Sequence, residues 1–268
     1  MIKTILAQIS PTLYKKDKNI EKIKKIVKES ESDLAVFAEL FLTGYKCMEH
    51  LPKLSENLNG KSVKTISKIS AEYGTHIIFG MPEKSEKHRG LFYNSAVLVQ
   101  PDGKNFSYRK IHLANFGPFV EKQYFTAGRE IQLFETRIGR LGLVICYDIF
   151  FPELSKTYAI KVADIIICIS ASPSTTRPFF EKVLPARAIE NTTFVLYSNL
   201  VGTELNMEFW GGCTAIGPRG DIIAKGECFK DGIVKADLDL KEIETARHLR
   251  PTIRDTRPEI AEILMRSV

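Results

Sequence analysis

The chain has 268 residues, 44% of them hydrophobic and 26% charged, a profile able to bury a sizeable core without disulfide staples. Its 38 Lys and Arg against 32 Asp and Glu leave a net charge of +6, a mild excess with no aromatic-interleaved basic strand or recognition motif to suggest nucleic-acid binding. No apolar run has the length of a membrane span, and MIKTILAQIS turns polar too early for a signal peptide, so a cytoplasmic protein without membrane association is expected.

In chain order, a strand over 2–9 precedes the basic stretch 15–28, where Ile20, Ile23, Ile26 and Val27 keep helical spacing and leave the lysines on a solvated face. DLAVFAEL, 33–40, is apolar almost throughout, as expected of a strand buried on both sides. KSVKTISKISAEYG, 61–74, is predicted as a helix stopped by Gly74, followed by the strand THIIFG. A hairpin then joins NSAVLVQ to NFSYRKI through PDGK. A loop rich in Phe, Gly and Pro covers 112–129, and IQLFETR leads into an apolar strand, 141–145, that ends at Cys146. Pro152 is a good first residue for the helix of ELSKTYAIKVA. DIIICIS, a helix over about 179–190 and TFVLYSN follow. A second hairpin joins GCTAIGP to DIIAKG through PRGD, then come the strand GIVKADLDL, a short helix and a tail.

The two halves repeat strand, helix, strand, helix, strand, then a hairpin with a Pro-x-Gly-x turn. This predicts an α/β protein, a four-layer α-β-β-α sandwich of two similar halves packed sheet against sheet. With no flexible linker between them, residues 1–268 read as a single domain. The five cysteines, at 47, 146, 168, 213 and 228, are scattered without a CxxC pair, and the histidines at 50, 76, 88, 112 and 248 are equally dispersed. Neither a disulfide framework nor a metal site is implied.

Cys146 sits on a strand-to-helix turn that exposes its sulfur, and the nearby helix N-terminus should favour the thiolate. Alone, a cysteine in such a strand is as readily inert packing. Glu39 closes the buried strand 33–40, where a carboxylate needs a partner or a raised pKa, and Lys110 lies where another strand runs out. Reactive groups gathered at strand ends are how open α/β sheets build sites. The bland alternatives are a structural Glu–Lys pair or two solvated charges.

FAELFLTGY, YRKIHL and VICYDIFFPEL, in that order, resemble the nitrilase superfamily of carbon–nitrogen hydrolases, and WGGCTAIGPRGDIIAKG and LRPTIRDTRPE extend the likeness over nearly the whole chain. The resemblance implies a catalytic triad of Glu39, Lys110 and Cys146. Through FVEKQYFTAG it implies a second glutamate, Glu121, which holds Lys110 or accepts a hydrogen bond from the substrate N–H. It also implies no cofactor, and a homodimer or larger homo-oligomer paired through 152–162, 179–190 and the tail. A thiolate would attack the carbonyl. Lys110 and the backbone N–H of Tyr147 would stabilise the oxyanion, and Glu39 would shuttle protons with a pKa raised towards working pH. His112, two residues beyond Lys110, is a rival base in a Cys–His arrangement, although a packed histidine is the favoured reading.

Family members cleave nitriles, amides and N-carbamoyl amines. Tyr147-Asp148 after the cysteine, where nitrile-cleaving branches more often carry Trp-Glu, leans the expected small-molecule substrate towards an amide or carbamoyl compound. Tyr45, Phe116, Phe119, Tyr147, Phe150 and Trp210 are candidate pocket residues, with core packing as the alternative for several. Arg177 could receive a substrate carboxylate, against the plainer role of a surface arginine at a helix start. A metabolite-binding pseudoenzyme would have lost one of the four reactive groups, and all four are present; an acyltransferase would keep them and usually add membrane spans.

Overall fold

The computed structural model describes residues 1–267. Two six-stranded sheets stack face to face, each covered on its outer side by helices. In the first half, β1 (Ile2–Gln8), β2 (Leu34–Val36) and β3 (His76–Lys84) run parallel, linked by the helices α1 (Lys16–Ser30), α2 (Leu51–Leu54) and α3 (Lys61–Tyr73). The antiparallel strands β4 (Phe92–Val99) and β5 (Asn105–Arg109) extend that sheet.

The second half repeats the plan. After β6 (Leu133–Thr136), the strands β7 (Gly139–Ile145), β8 (Ile165–Ser170) and β9 (Phe194–Asn199) run parallel through α4 (Pro152–Ile160) and α5 (Arg177–Asn191). A small hairpin, β10 (Val201–Glu204) and β11 (Met207–Trp210), intervenes before β12 (Thr214–Ile216) and β13 (Ile222–Lys225). The strand β14 (Gly232–Leu238) then returns to pair antiparallel with β1, and α6 (Lys241–Leu249) and α7 (Pro258–Ser267) follow. The sheet orders are β14-β1-β2-β3-β4-β5 and β13-β12-β9-β8-β7-β6. Each parallel trio is thus flanked by one antiparallel strand on one side and a hairpin on the other, and the four-layer α-β-β-α sandwich expected from the repeated pattern is present.

Period-two alternation sorts the side chains of the first sheet. Ile2, Leu6, Leu34, Val36 and Ile78 meet the second sheet, whereas Ile5, Ala7, Ala35, Ile77 and Phe79 meet α1 and α3. In α1, Ile20, Ile23 and Val27 are buried while Lys18, Lys24, Lys25 and Lys28 are exposed, the solvated face that the spacing predicts. Gly74 takes the left-handed conformation (φ 65°) that ends α3, its N–H donating to the Ser70 carbonyl.

Several elements differ from the sequence-based expectation. The strand read over 33–40 ends at Val36, because Leu40 adopts φ 50° and the chain turns, the Gly80 N–H reaching the Ala38 carbonyl (3.1 Å). The β10–β11 hairpin leaves no turn signature in the sequence, because its turn is Leu205-Asn206, with Leu205 at φ 52° and no Gly or Pro to mark it. A short 3₁₀ turn, Cys146–Phe150, separates β7 from α4, so Cys146 is not at the start of that helix. Among the described residues no helix is long and apolar enough to cross a membrane.

Candidate functional site

Three chain turns from both halves meet at the seam between the sheets. Glu39 is carried by the turn after β2. That turn lies so close to β3 that a Cβ on Gly80 would stand 2.1 Å from the Leu40 nitrogen and 2.7 Å from the Glu39 Cα, which explains glycine in the middle of a buried strand. The same turn reaches across the seam: the Glu39 N–H points at the Ser170 carbonyl (3.4 Å), and the Ala171 N–H donates to Glu39 Oε2 (2.7 Å). Asn94 Nδ2 from β4 donates to Oε1 (2.7 Å).

Lys110 directly follows β5 and is fixed through its backbone, its N–H donating to the Asn94 carbonyl (2.8 Å) and its carbonyl accepting from Gly128 (2.8 Å). Its ammonium, entirely buried, donates to Glu39 Oε1 and to Glu121 Oε1, each at 2.8 Å. Two of its three N–H groups are thereby used. Glu121 is locked from behind by the Tyr45 hydroxyl (2.8 Å to Oε1) and the Ala114 N–H (3.1 Å to Oε2). A buried lysine between two buried carboxylates is tolerable only because each charge is hydrogen-bonded.

Cys146 caps β7 in a left-handed conformation, φ 49°, which is strained for a non-glycine residue and is found where the surrounding structure enforces it. The enforcing group is Asp148. Its fully buried carboxylate accepts from the Ile145 N–H (3.1 Å) and the Tyr108 hydroxyl (2.8 Å) at Oδ2, and from the His112 N–H (2.8 Å) at Oδ1. One carboxylate thus ties the cysteine turn to the residues on either side of Lys110. The Cys146 sulfur lies 3.6 Å from the Ser172 hydroxyl, itself 2.6 Å from Ser170 Oγ.

The electrostatics differ from the expectation of a preformed thiolate. Burial pushes the Cys146 thiol up to about 12, the Glu39 charge adds to this, and Lys110 only partly opposes it. Burial also raises the Glu39 carboxyl, despite the lowering effect of Lys110. Burial works against the Lys110 ammonium, yet Glu121 and Glu39 outweigh it and its pKa lies well above the ordinary value. The resting site is therefore a thiol beside a lysine ammonium held between Glu39 and Glu121.

Above Cys146 opens a cavity of about 270 Å³ lined by Phe119, Tyr147, Phe150 and Ser172 among others, with Phe116 at its edge. The remaining pocket candidates lie elsewhere. Tyr45 is buried behind Glu121 and edge-on to Phe119. Trp210 is buried in the core, stacked on Tyr197, so its aromatic bulk serves packing. Arg177 begins α5 but does not line the cavity: its Nε donates to Glu181 Oε1 (3.0 Å) and its guanidinium lies 5.9 Å from the Trp210 ring centre. His112 Nδ1 faces Asp148 (3.0 Å) and its ring stacks on Phe151 at 3.5 Å, the packed histidine of the sequence reading.

Sequence reasoning missed Asn94, Asp148, Gly80 and the Ser170–Ser172 pair. Ser170 did carry a signal, being a polar residue at the end of the otherwise apolar strand β8. Asp148 lay within a recognised motif without an assigned role.

A family model described as carbon–nitrogen hydrolase matches residues 4–248. A nitrilase of Pyrococcus abyssi is 30% identical over 269 residues, spanning 97% of this chain and 98% of its own length. A 2-oxoglutaramate amidase of Bacillus subtilis is 32% identical over 250 residues, spanning 92% and 94% respectively. Among solved structures, a carbon–nitrogen hydrolase from Helicobacter pylori G27 matches with a TM-score of 0.91 at 27% identity over 98% of each chain.

Proposed function

The chain belongs to the carbon–nitrogen hydrolase family, and from that premise we propose that it cleaves the non-peptide C–N bond of a small amide or N-carbamoyl compound through a thioester on Cys146. The observation that carries this reading is Lys110 held at 2.8 Å from both Glu39 and Glu121, beneath a cavity to which Cys146 contributes. Relatives named for amidase activity support the choice of amides; one named nitrilase keeps small nitriles as the second class to assay.

In the proposed reaction, Cys146 Sγ bonds to the carbonyl carbon as its proton passes to Glu39, whose raised pKa suits a group that must both take and return a proton. A thiol near 12 does not ionise alone at neutral pH, so attack and proton transfer are coupled. The carbonyl oxygen becomes an oxyanion met by the remaining N–H of Lys110 and the backbone N–H of Tyr147. Glu39 gives its proton to the nitrogen, the C–N bond breaks, and ammonia or an amine leaves. Water, deprotonated by Glu39, then attacks the thioester carbonyl; the acid departs as the sulfur regains the proton. Glu121 and Tyr45 hold the Lys110 ammonium in position throughout.

The test is ammonia or amine release from amides, carbamoyl amines and nitriles by four variants. Cys146→Ala, Glu39→Gln and Lys110→Met should each lose about 1,000-fold or more in kcat/KM, while His112→Ala stays within about tenfold. The reverse order, with His112 essential and Glu39 dispensable, would replace this mechanism by a Cys–His one.

A further inference from the structure

The walls of the cavity above Cys146 carry information about the acyl group, and the inference drawn from them rests on the amide-hydrolase reading. At about 270 Å³ the space is at the small end for ligand pockets. Its sides are the rings of Phe119, Tyr147, Phe150 and Phe180, and its mouth carries Phe116, 48% exposed, and Phe179, which opens the segment 179–190 expected to pair with a second copy. Large aromatic side chains left in water at the rim of a pocket mark a place where apolar surface is to be covered. Phe116 is already 5.4 Å from Phe119 and 4.9 Å from Tyr147 between ring centres, so the rim and wall form one aromatic surface.

No charged side chain lines this cavity among the described residues; beyond the rings and Ala114, its side chains are Cys146, Ser172 and Thr176. Three cations around the cavity are all committed. Arg187, beside Phe150, donates to the Ile149 and Phe150 carbonyls and to Glu190. Arg177, next to Thr176, is turned to Glu181. Lys110 is wholly buried and already shared by Glu39 and Glu121. A free carboxylate on the acyl group of a substrate would lose water in this cavity and meet no uncommitted cation. An aryl or branched alkyl group would instead exchange water for ring faces and edges.

We propose that the physiological substrate is a small primary amide whose acyl group is uncharged and apolar, a single ring or short branched chain, and that amides bearing a free carboxylate are excluded. The test compares kcat/KM for phenylacetamide and isovaleramide with that for glutaramate, the monoamide of glutaric acid. The neutral amides should be favoured by about 100-fold or more, as expected when one substrate leaves a charge unpaired in a dry site. Thr176→Lys, which adds a cation to the wall, should shift the ratio towards glutaramate by about tenfold. Equal or faster hydrolysis of glutaramate by the unaltered enzyme, or a ratio unmoved by Thr176→Lys, would overturn the inference and leave amide hydrolysis standing. Turnover of none of the three would also overturn the inference, and if the carbamoyl amines and nitriles are inert as well, the hydrolase reading falls with it.

Discussion

The Cys146 thiol and the Glu39 carboxyl are both raised by burial, and this coupling sets the pH behaviour. Glu39 must be ionised to accept the thiol proton. Because its pKa lies above the usual value of about 4.3, kcat/KM should rise with pH along an acid limb displaced upward from that value. A limb at or below the ordinary glutamate range would argue against Glu39 as the base. Lys110 stays charged across this range: burial opposes its charge but the two glutamates prevail. A lysine with a folded-state pKa above its unfolded one gives its full contribution to folding below about 10.4 and loses it as pH climbs through the higher value. Base denaturation, followed by circular dichroism, should therefore begin later in the unaltered protein than in Lys110→Met.

At the scale of elements, two turns bear the strain of the site, the one at Leu40 (φ 50°) and the one at Cys146 (φ 49°). The first depends on Gly80. A methyl group there would meet the Leu40 nitrogen at 2.1 Å, so Gly80→Ala should cost about 1–3 kcal/mol of stability and lower kcat by displacing Glu39; a variant with unchanged melting and turnover would refute this role. The second turn depends on Asp148, which accepts from Ile145, His112 and Tyr108 together. Asp148→Asn presents an N–H to a donor and should destabilise by about 1–3 kcal/mol, with the loss in kcat exceeding any change in KM. The sequence revealed these elements unevenly. The reach of apolar runs and the Pro-x-Gly-x turns marked the sheets and hairpins, since burial and positive φ leave residue signatures; Gly103 and Gly220 do sit at φ 86° and 87°. The positive φ at Leu40, Cys146 and Leu205 left none, because tertiary contacts rather than residue type impose it.

Across the whole molecule, the site exists only where the halves join. Glu39, Lys110 and Glu121 come from the first half and the connecting loop, whereas Cys146 and the Ala171 N–H that orders Glu39 come from the second. The repeat of strand and helix in the sequence predicted that two sheets would stack, and the family resemblance proposed Glu39, Lys110 and Cys146 as the reactive residues, but neither could say which aromatic rings face the cavity. Side-chain direction at Trp210 and Arg177 is decided by Tyr197 and Glu181, residues remote in the sequence pattern or unremarkable in it. The helix α7 buries none of its side chains and exposes Ile260, Ile263, Leu264 and Met265, surface that favours association. We expect a homodimer or larger assembly. Light scattering at micromolar protein should give at least twice the chain mass of 30.3 kDa, and removal of 251–268 should lower it; a monomer before truncation would refute the expectation.

The covalent intermediate gives the most direct measurement. Intact-protein mass spectrometry of the enzyme quenched in acid during turnover of a neutral amide should show a gain equal to the acyl group, mapped by peptide analysis to Cys146 and absent from Cys146→Ala. Turnover with no acyl adduct under any quench time, or an adduct that survives in Cys146→Ala, would contradict thioester chemistry at this residue.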